Sequence, residues 1–244
     1  MKMKMQKPSL NNRKIWAIVP AAGAGSRFSK TELKQYQRIQ DLTVLEHTVN
    51  RLNQLPLAGC ILAISEQDDV ARQLNFEKND NIHFCLGGRE RVDSVLNALI
   101  YLSDIAAPDD IVLVHDAARP CVTVECLNDL VYTVTHLATS AILAIPVRDT
   151  LKRVVQQQEI QQTVSREYLW QAQTPQASSL SQLKNAIETA LKNDVVITDE
   201  ASALEFMGEI VQVVQGRSDN LKITYPDDLE LARLILNAQH GKTA

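Results

Sequence analysis

At 244 residues, with 45% hydrophobic and 22% charged side chains, the chain has the size and composition of one globular domain, or one domain with an appendage. A net charge of −4 argues against a general nucleic-acid binder, and no stretch approaches the roughly 18 consecutive apolar residues of a membrane span. Residues 1–14 hold Lys2, Lys4, Lys7, Arg13 and Lys14 and no acid, so the remainder is more acidic than the whole and must concentrate its cations locally to hold an anion.

The tail lacks an apolar core and reads as a flexible basic leader over residues 1–14, not a secretory signal. Residues 15–244 are expected to form a single domain. Its first element is the apolar run Ile15 to Val19, a β-strand that delivers Val19-Pro20-Ala21-Ala22-Gly23-Ala24-Gly25-Ser26-Arg27, completed by Lys34. Small residues let the backbone approach a ligand, and bare amides beside fixed positive charge make a polyphosphate site. A P-loop would need Lys directly after its second glycine, and none follows here. A dinucleotide fingerprint wants a small residue where the chain has Phe28. The stretch resembles the loop of the nucleotidyltransferases, Ala-Ala-Gly-x-Gly-x-Arg followed by a Lys; a plain glycine-rich turn is the competing reading.

Tyr36 to Ile39 reads as a short strand. Thr43-Val44-Leu45-Glu46 is a capping-box start for a helix with Leu45, Val49 and Leu52 on one face. Cys60 to Ile64 reads as a buried strand, Gln67 to Leu74 as a short helix, and Ile82 to Leu86 as a strand ending at Gly87-Gly88. Val92, Val95, Leu96 and Leu99 have helical spacing. Ile111 to Val114, the most apolar strand, ends in His115-Asp116-Ala117-Ala118-Arg119-Pro120, and Val124 to Leu137 (helix) and Ala141 to Ile145 (strand) follow. This alternation implies a parallel sheet with helices on both faces. Ligands in such sheets bind beyond the carboxyl ends of strands, where the opening loop, Gly87-Gly88 and Asp116 all sit.

From Pro146 to about Gln173 the rhythm changes. Thr150 to Val155 and Ile160 to Val164 have β character, and the natural reading is a polar hairpin outside the main sheet. Such a hairpin is marginally stable alone, so it is expected to pack against something, a second subunit being one candidate. Helical rhythm returns at Leu180 to Leu191 and from Asp199 to Met207, followed by a strand over Ile210 to Val214 and a last helix from Pro226. Cys60, Cys85, Cys121 and Cys126 show no zinc spacing. Cys60 and Cys85 lie in strand-like runs, as core thiols in a reducing cytosol would, so the expected location is cytoplasmic.

Three further stretches offer chemistry. Asp116, after a hydrophobic strand, can hold Mg²⁺, which usually keeps waters and bridges substrate phosphates; a helix cap or an ion pair with Arg119 is the plainer alternative. His115 reads as a packed strand-end histidine, with a catalytic base as the competing reading. Gly87-Gly88 leads into a helix whose Arg91 and Ser94 add donors, equally consistent with a base or ribose contact and with a surface turn. Thr198-Asp199-Glu200 looks like an N-cap with acids in the first turn. Arg217 to Lys222 offers a cation and, in Asp219, a candidate second metal acid, or simply a polar turn.

Together these stretches resemble the 2-C-methyl-D-erythritol 4-phosphate cytidylyltransferases of the non-mevalonate isoprenoid pathway. The matching segments, in family order, are Pro20 to Arg27, Lys34-Gln35-Tyr36, Gly87-Gly88 through Ser94-Val95, Val114 to Pro120, Pro146 to Arg153, Trp170 to Gln176, Thr198 to Glu205 and Gly216 to Lys222. The resemblance implies a Rossmann-like α/β nucleotidyltransferase fold, with a mostly parallel sheet flanked by helices and a protruding β-arm, at about residues 146–173, used for homodimerisation. It implies transfer of CMP from CTP to 2-C-methyl-D-erythritol 4-phosphate, giving 4-diphosphocytidyl-2-C-methyl-D-erythritol and pyrophosphate, with Mg²⁺ as cofactor. Arg27 and Lys34 would stabilise the transition state. Ala21, Ala22, Gly23, Ala24, Gly25, Gly87, Gly88 and Ala117, with Arg91 and Ser94, would hold the nucleotide. Asp116 would bind the metal and Arg119 sit by the sugar phosphate, with Thr174 and Thr198 as further contacts. Thr150 and Arg166 would arrive on the partner subunit's arm, and Lys222 would align the attacking phosphate.

Two positions depart from the family pattern: Leu33 stands where a proline usually precedes the loop lysine, and Ser165 where an Asp usually precedes the arm's Arg166. The nucleophile is a phosphate monoester, largely dianionic at neutral pH with a second pKa of about 6, so no general base is required. Two alternatives share parts of the pattern: a ribitol 5-phosphate cytidylyltransferase and a nucleotide-binding protein without turnover.

Overall fold

The computed structural model describes residues 13–23, 28 and 33–240. In chain order its elements are β1 (Ile15–Pro20), β2 (Arg38–Ile39), β3 (Leu42–Thr43), α1 (Val44–Leu52), β4 (Gly59–Ile64), α2 (Asp69–Gln73), β5 (Ile82–Leu86), α3 (Arg91–Ser103), β6 (Ile111–Val114), α4 (Val124–Leu137), β7 (Ser140–Pro146), β8 (Leu151–Val154), β9 (Ile160–Val164), β10 (Trp170–Ser179), α5 (Leu180–Lys192), α6 (Glu200–Phe206), β11 (Val211–Gln215) and α7 (Pro226–His240). The expected strand over 36–39 is instead a 3₁₀ turn, Lys34–Tyr36, followed by β2.

Seven strands form the central sheet in the order β11-β7-β10-β6-β1-β4-β5. Every neighbouring pair is parallel except the two that involve β10. Successive strand side chains point to opposite faces, and the core divides accordingly. Ala17, Val19, Leu62 and Leu113 pack with Leu45 and Val49 of α1 and Leu127 and Leu130 of α4. Trp16, Ile18, Ile61 and Val112 pack on the other face with Val95 and Leu99 of α3 and Leu183 and Ile187 of α5. The chain thus has the mostly parallel, helix-flanked α/β sheet that its sequence implies. α1 opens with the expected capping box: Thr43 Oγ1 accepts from the Glu46 N–H, and Glu46 accepts from the Thr43 N–H.

β10 is the strand of the central sheet that the periodicity misses. Gln171, Gln173, Gln176 and Pro175 give it no apolar alternation, yet Trp170 pairs with Pro146 and Gln176 with Val114. The chain therefore re-enters the sheet at Trp170, inside the stretch expected to be arm, and the two-stranded β8–β9 hairpin is what stands apart. Because β10 runs antiparallel, its N-terminal half lies at the carboxyl edge of its neighbours. A register shift between Ala172 and Gln176 interrupts its pairing with β7 there.

Candidate active site

The carboxyl ends of β1, β5 and β6 deliver three polar loops to one edge. After β1, Ala21 stays in the ladder through its N–H to Ala63 O (2.8 Å), while its own carbonyl accepts from Gln35 Nε2 (3.0 Å). Gln35 belongs to the 3₁₀ turn that carries Lys34, so the turn is stitched to the glycine loop. Tyr36 anchors the other side of that turn by donating its hydroxyl to Asp68 Oδ2; burial foremost, then Asp68, raises the phenol far above its usual pKa. Lys34 Nζ donates to the Ile223 carbonyl (3.0 Å), beside Lys222. Ala24, Gly25 and Arg27 lie outside the described residues.

After β5, Gly87 and Gly88 pass where no side chain fits. A Cβ on Gly87 would lie 2.4 Å from Ala22 Cβ, and one on Gly88 would lie 2.1 Å from Asp93 Cβ. Ser94 Oγ accepts from the Gly88 N–H (3.0 Å) and donates to Glu90 O (3.2 Å), so it shapes this loop.

After β6, Asp116 gathers three cations onto a carboxylate that is 9% exposed. Arg91 Nε lies 2.9 Å from Oδ1; Lys222 Nζ and Arg119 Nε lie 2.9 and 3.3 Å from Oδ2. Burial alone would raise this carboxyl, but Arg91, Lys222 and Arg119 outweigh it and hold the group well below the usual carboxylate range. Arg91 is in turn clamped by Glu200, Nη1 to Oε1 at 2.7 Å and Nη2 to Oε2 at 3.0 Å.

A second ring of bonds fixes Asp116 from behind. Its N–H donates to Thr174 Oγ1 (3.0 Å), and Thr174 Oγ1 meets His115 Nδ1 (2.9 Å). His115 Nε2 faces the Arg119 carbonyl (3.0 Å). Burial pushes His115 down to about 4 against the pull of Asp116, so the ring is neutral at pH 7. It is the packed strand-end histidine that the sequence suggests. Asn220 accepts from Arg119 Nη1 through its carbonyl (2.7 Å) and donates Nδ2 to Thr174 O (2.9 Å), which ties the loop bearing Lys222 to β10.

Two hollows meet at this knot. One, of about 310 Å³, is lined by Ala21, Gly23, Lys34, Gly88, Ser94 and Ala117. The other, of about 210 Å³, is lined by Arg119, Gln173, Thr174, Gln176, Thr198 and Asp199. Arg91, Asp116 and Lys222 line both. The first has the size and loop-amide walls of a small-ligand site, and the second adds hydroxyls and a guanidinium. Ala22 and Gly87 lie against each other and line neither hollow.

The remaining expected residues lie elsewhere. Thr150 and Arg166 are exposed around the hairpin and line neither hollow. Asp219 is not brought to Asp116. It pairs with Arg217 through both oxygens and lines a separate cavity with Arg51 and Glu125, while neither hollow at Asp116 is lined by it. Among the described residues no cluster of three or more His, Cys, Asp or Glu side chains could cage a metal. With cations already on both Asp116 oxygens, the donor set fits a hard cation that arrives on substrate phosphates and takes at most one protein carboxylate. Glu200, Gln35 and Gln176 lie in stretches that the sequence singles out, but the contacts they make do not follow from it. Glu200 had a cap to explain it, and its partner Arg91 is 109 positions away.

The family model for 2-C-methyl-D-erythritol 4-phosphate cytidylyltransferase matches residues 15–238. A protein of that name from Acinetobacter baumannii is 70% identical over 227 residues, 93% of this chain and 95% of its own. One from Acinetobacter baylyi is 62% identical over 237 residues, 97% of this chain and 99% of its own. A crystal structure of 4-diphosphocytidyl-2C-methyl-D-erythritol synthase matches with a TM-score of 0.81 at 36% identity, over 92% of this chain and 99% of that one. The Francisella tularensis 2-C-methyl-D-erythritol 4-phosphate cytidylyltransferase matches with a TM-score of 0.78 at 37% identity, over 91% and 99%.

Proposed function

The chain belongs to the 2-C-methyl-D-erythritol 4-phosphate cytidylyltransferase family, and on that premise we propose how its residues divide the reaction. The enzyme transfers CMP from CTP to 2-C-methyl-D-erythritol 4-phosphate and releases pyrophosphate. CTP takes the hollow beside the glycine loop, where Ala21, Gly23, Gly88 and Ser94 form the wall that would face the base and ribose. The sugar phosphate takes the hollow beside Arg119, Thr174 and Thr198. The observation that carries this assignment is that Lys222, Arg91 and Asp116 stand on the wall common to both.

Attack by a phosphate dianion on the α-phosphorus needs position and charge neutralisation more than proton transfer. Lys222 leaves Asp116 Oδ2 for the acceptor phosphate and aims it; Lys34, held near Lys222 through the Ile223 carbonyl, stabilises charge on the α-phosphate. His115, buried and engaged at both ring nitrogens, takes no part in proton transfer. Mg²⁺ would enter on the triphosphate with one oxygen of Asp116 as its protein ligand. When bound, it would neutralise charge accumulating on the pyrophosphate leaving group.

A homodimer is the proposed assembly. Val154, Val155 and Ile160 of the hairpin are 50%, 46% and 64% exposed, more apolar surface than a two-stranded hairpin supports alone. Its Arg166 and Thr150 would then complete the partner's acceptor hollow. No helix of the described residues is long and apolar enough to cross a membrane, and four free cysteines suit a reducing compartment such as the cytosol. The decisive assay is pyrophosphate release from CTP with the sugar phosphate and Mg²⁺. Lys34→Ala is expected to lose turnover by at least about a hundredfold, the scale of one preorganised donor, and EDTA to abolish wild-type turnover. Near wild-type rates in either case would remove that group from the mechanism.

A further inference from the structure

Glu200 belongs to neither the glycine loop nor the acceptor contacts, yet its side chain is only 3% exposed and both its oxygens grip Arg91. An acid in the first turn of a helix stabilises the helix from a solvated position, so capping explains the residue type but not the burial or the bidentate pairing. We propose that Glu200 is a positioning residue for cytidylyl transfer, acting through Arg91 to hold the Asp116 carboxylate at the wall between the two hollows.

Three features carry the inference. First, Arg91 lines both hollows, and its unclamped fork would be free to turn onto a phosphate in either one. With Nη1 and Nη2 each on a Glu200 oxygen, the fork is oriented so that Nε meets Asp116 at Oδ1. Second, fixing Oδ1 presents Oδ2 to Lys222 and Arg119, the two cations next to the acceptor hollow. Third, the first turn of α6 is fastened to β10: Gln176 Nε2 donates to Asp199 Oδ2 (2.8 Å) and Gln176 Oε1 accepts from the Ala201 N–H (2.8 Å). Glu200 is therefore held in place while Thr198 and Asp199, just before it, line the acceptor hollow. One short segment reads the acceptor side and sets the arginine on the nucleotide side.

The inference rests on the roles proposed for Asp116 and Lys222, and the test separates the two. Steady-state kcat and KM for CTP and for the sugar phosphate are measured for wild type, Glu200→Gln, Arg91→Met, the double variant and Asp116→Asn, with thermal melting as the folding control. Glu200→Gln is expected to melt within a few degrees of wild type and to lose about tenfold in kcat, the scale of modest misplacement of a reacting group, with each KM within about threefold. In the Arg91→Met background the same change should alter kcat by less than about twofold, because the pair acts as one unit. A wild-type kcat in folded Glu200→Gln, or an equal loss with and without Arg91, overturns the inference. If Glu200→Gln does not fold, the neutral double variant takes its place: activity matching Arg91→Met supports the inference and wild-type turnover overturns it. A fully active Asp116→Asn sinks the reading beneath it.

Discussion

Burial acts on the neighbours His115 and Asp116 in ways that separate their roles. The Asp116 carboxylate has three cations to offset its desolvation and stays charged; His115 has hydrogen bonds but no such surplus, and its imidazole stays neutral, with a pKa lowered from 6.5 to about 4. The unfolded chain therefore binds more protons at this histidine than the folded one between those values. His115 contributes stability that is complete above about pH 6.5 and is lost as pH falls through 4. From pH 7 to pH 5 the loss should be about 2 kcal/mol. Urea unfolding at the two pH values checks it: His115→Gln should flatten the dependence by that amount, and an unchanged slope would show that the ring is not held neutral. Asp116 and the glycines were legible in the sequence because each ends an apolar strand. Glu200 and Asn220 were not, because their significance lies in partners about a hundred positions away.

At the scale of elements, the 3₁₀ turn Lys34–Tyr36 answers how the loop lysine is held without the usual proline before it. Gln35 reaches the Ala21 carbonyl, Tyr36 reaches Asp68, and Leu33 already has φ −81° and ψ 119°, at the edge of a proline's range. Leu33→Pro is thus expected to leave turnover within about twofold and to add about 0.5 kcal/mol of stability by restricting the unfolded chain. A large loss of turnover would mean that the turn must flex during the cycle. Strands with continuous apolar runs, such as β4 and β6, and helices with caps, such as α1, were recoverable from local pattern. β10 was not: a polar, proline-containing strand is recognisable only once its neighbours β6 and β7 are in place.

At the scale of the molecule, one parallel sheet gathers the loops and one reversed strand, β10, adds Thr174 to the group they form. The hairpin stands outside that arrangement, so the proposed dimer would make each site from two chains. Lys34→Ala co-expressed with Arg166→Ala should recover about a quarter of wild-type turnover, because random pairing of a two-fold dimer restores one complete site in half the molecules. No gain over the separate variants would place both residues in the same chain's site. The most direct test of the whole account is pyrophosphate release from CTP and Mg²⁺ with each of two acceptors, 2-C-methyl-D-erythritol 4-phosphate and ribitol 5-phosphate. The account predicts turnover with the first and little with the second; turnover with ribitol 5-phosphate and none with 2-C-methyl-D-erythritol 4-phosphate would contradict it.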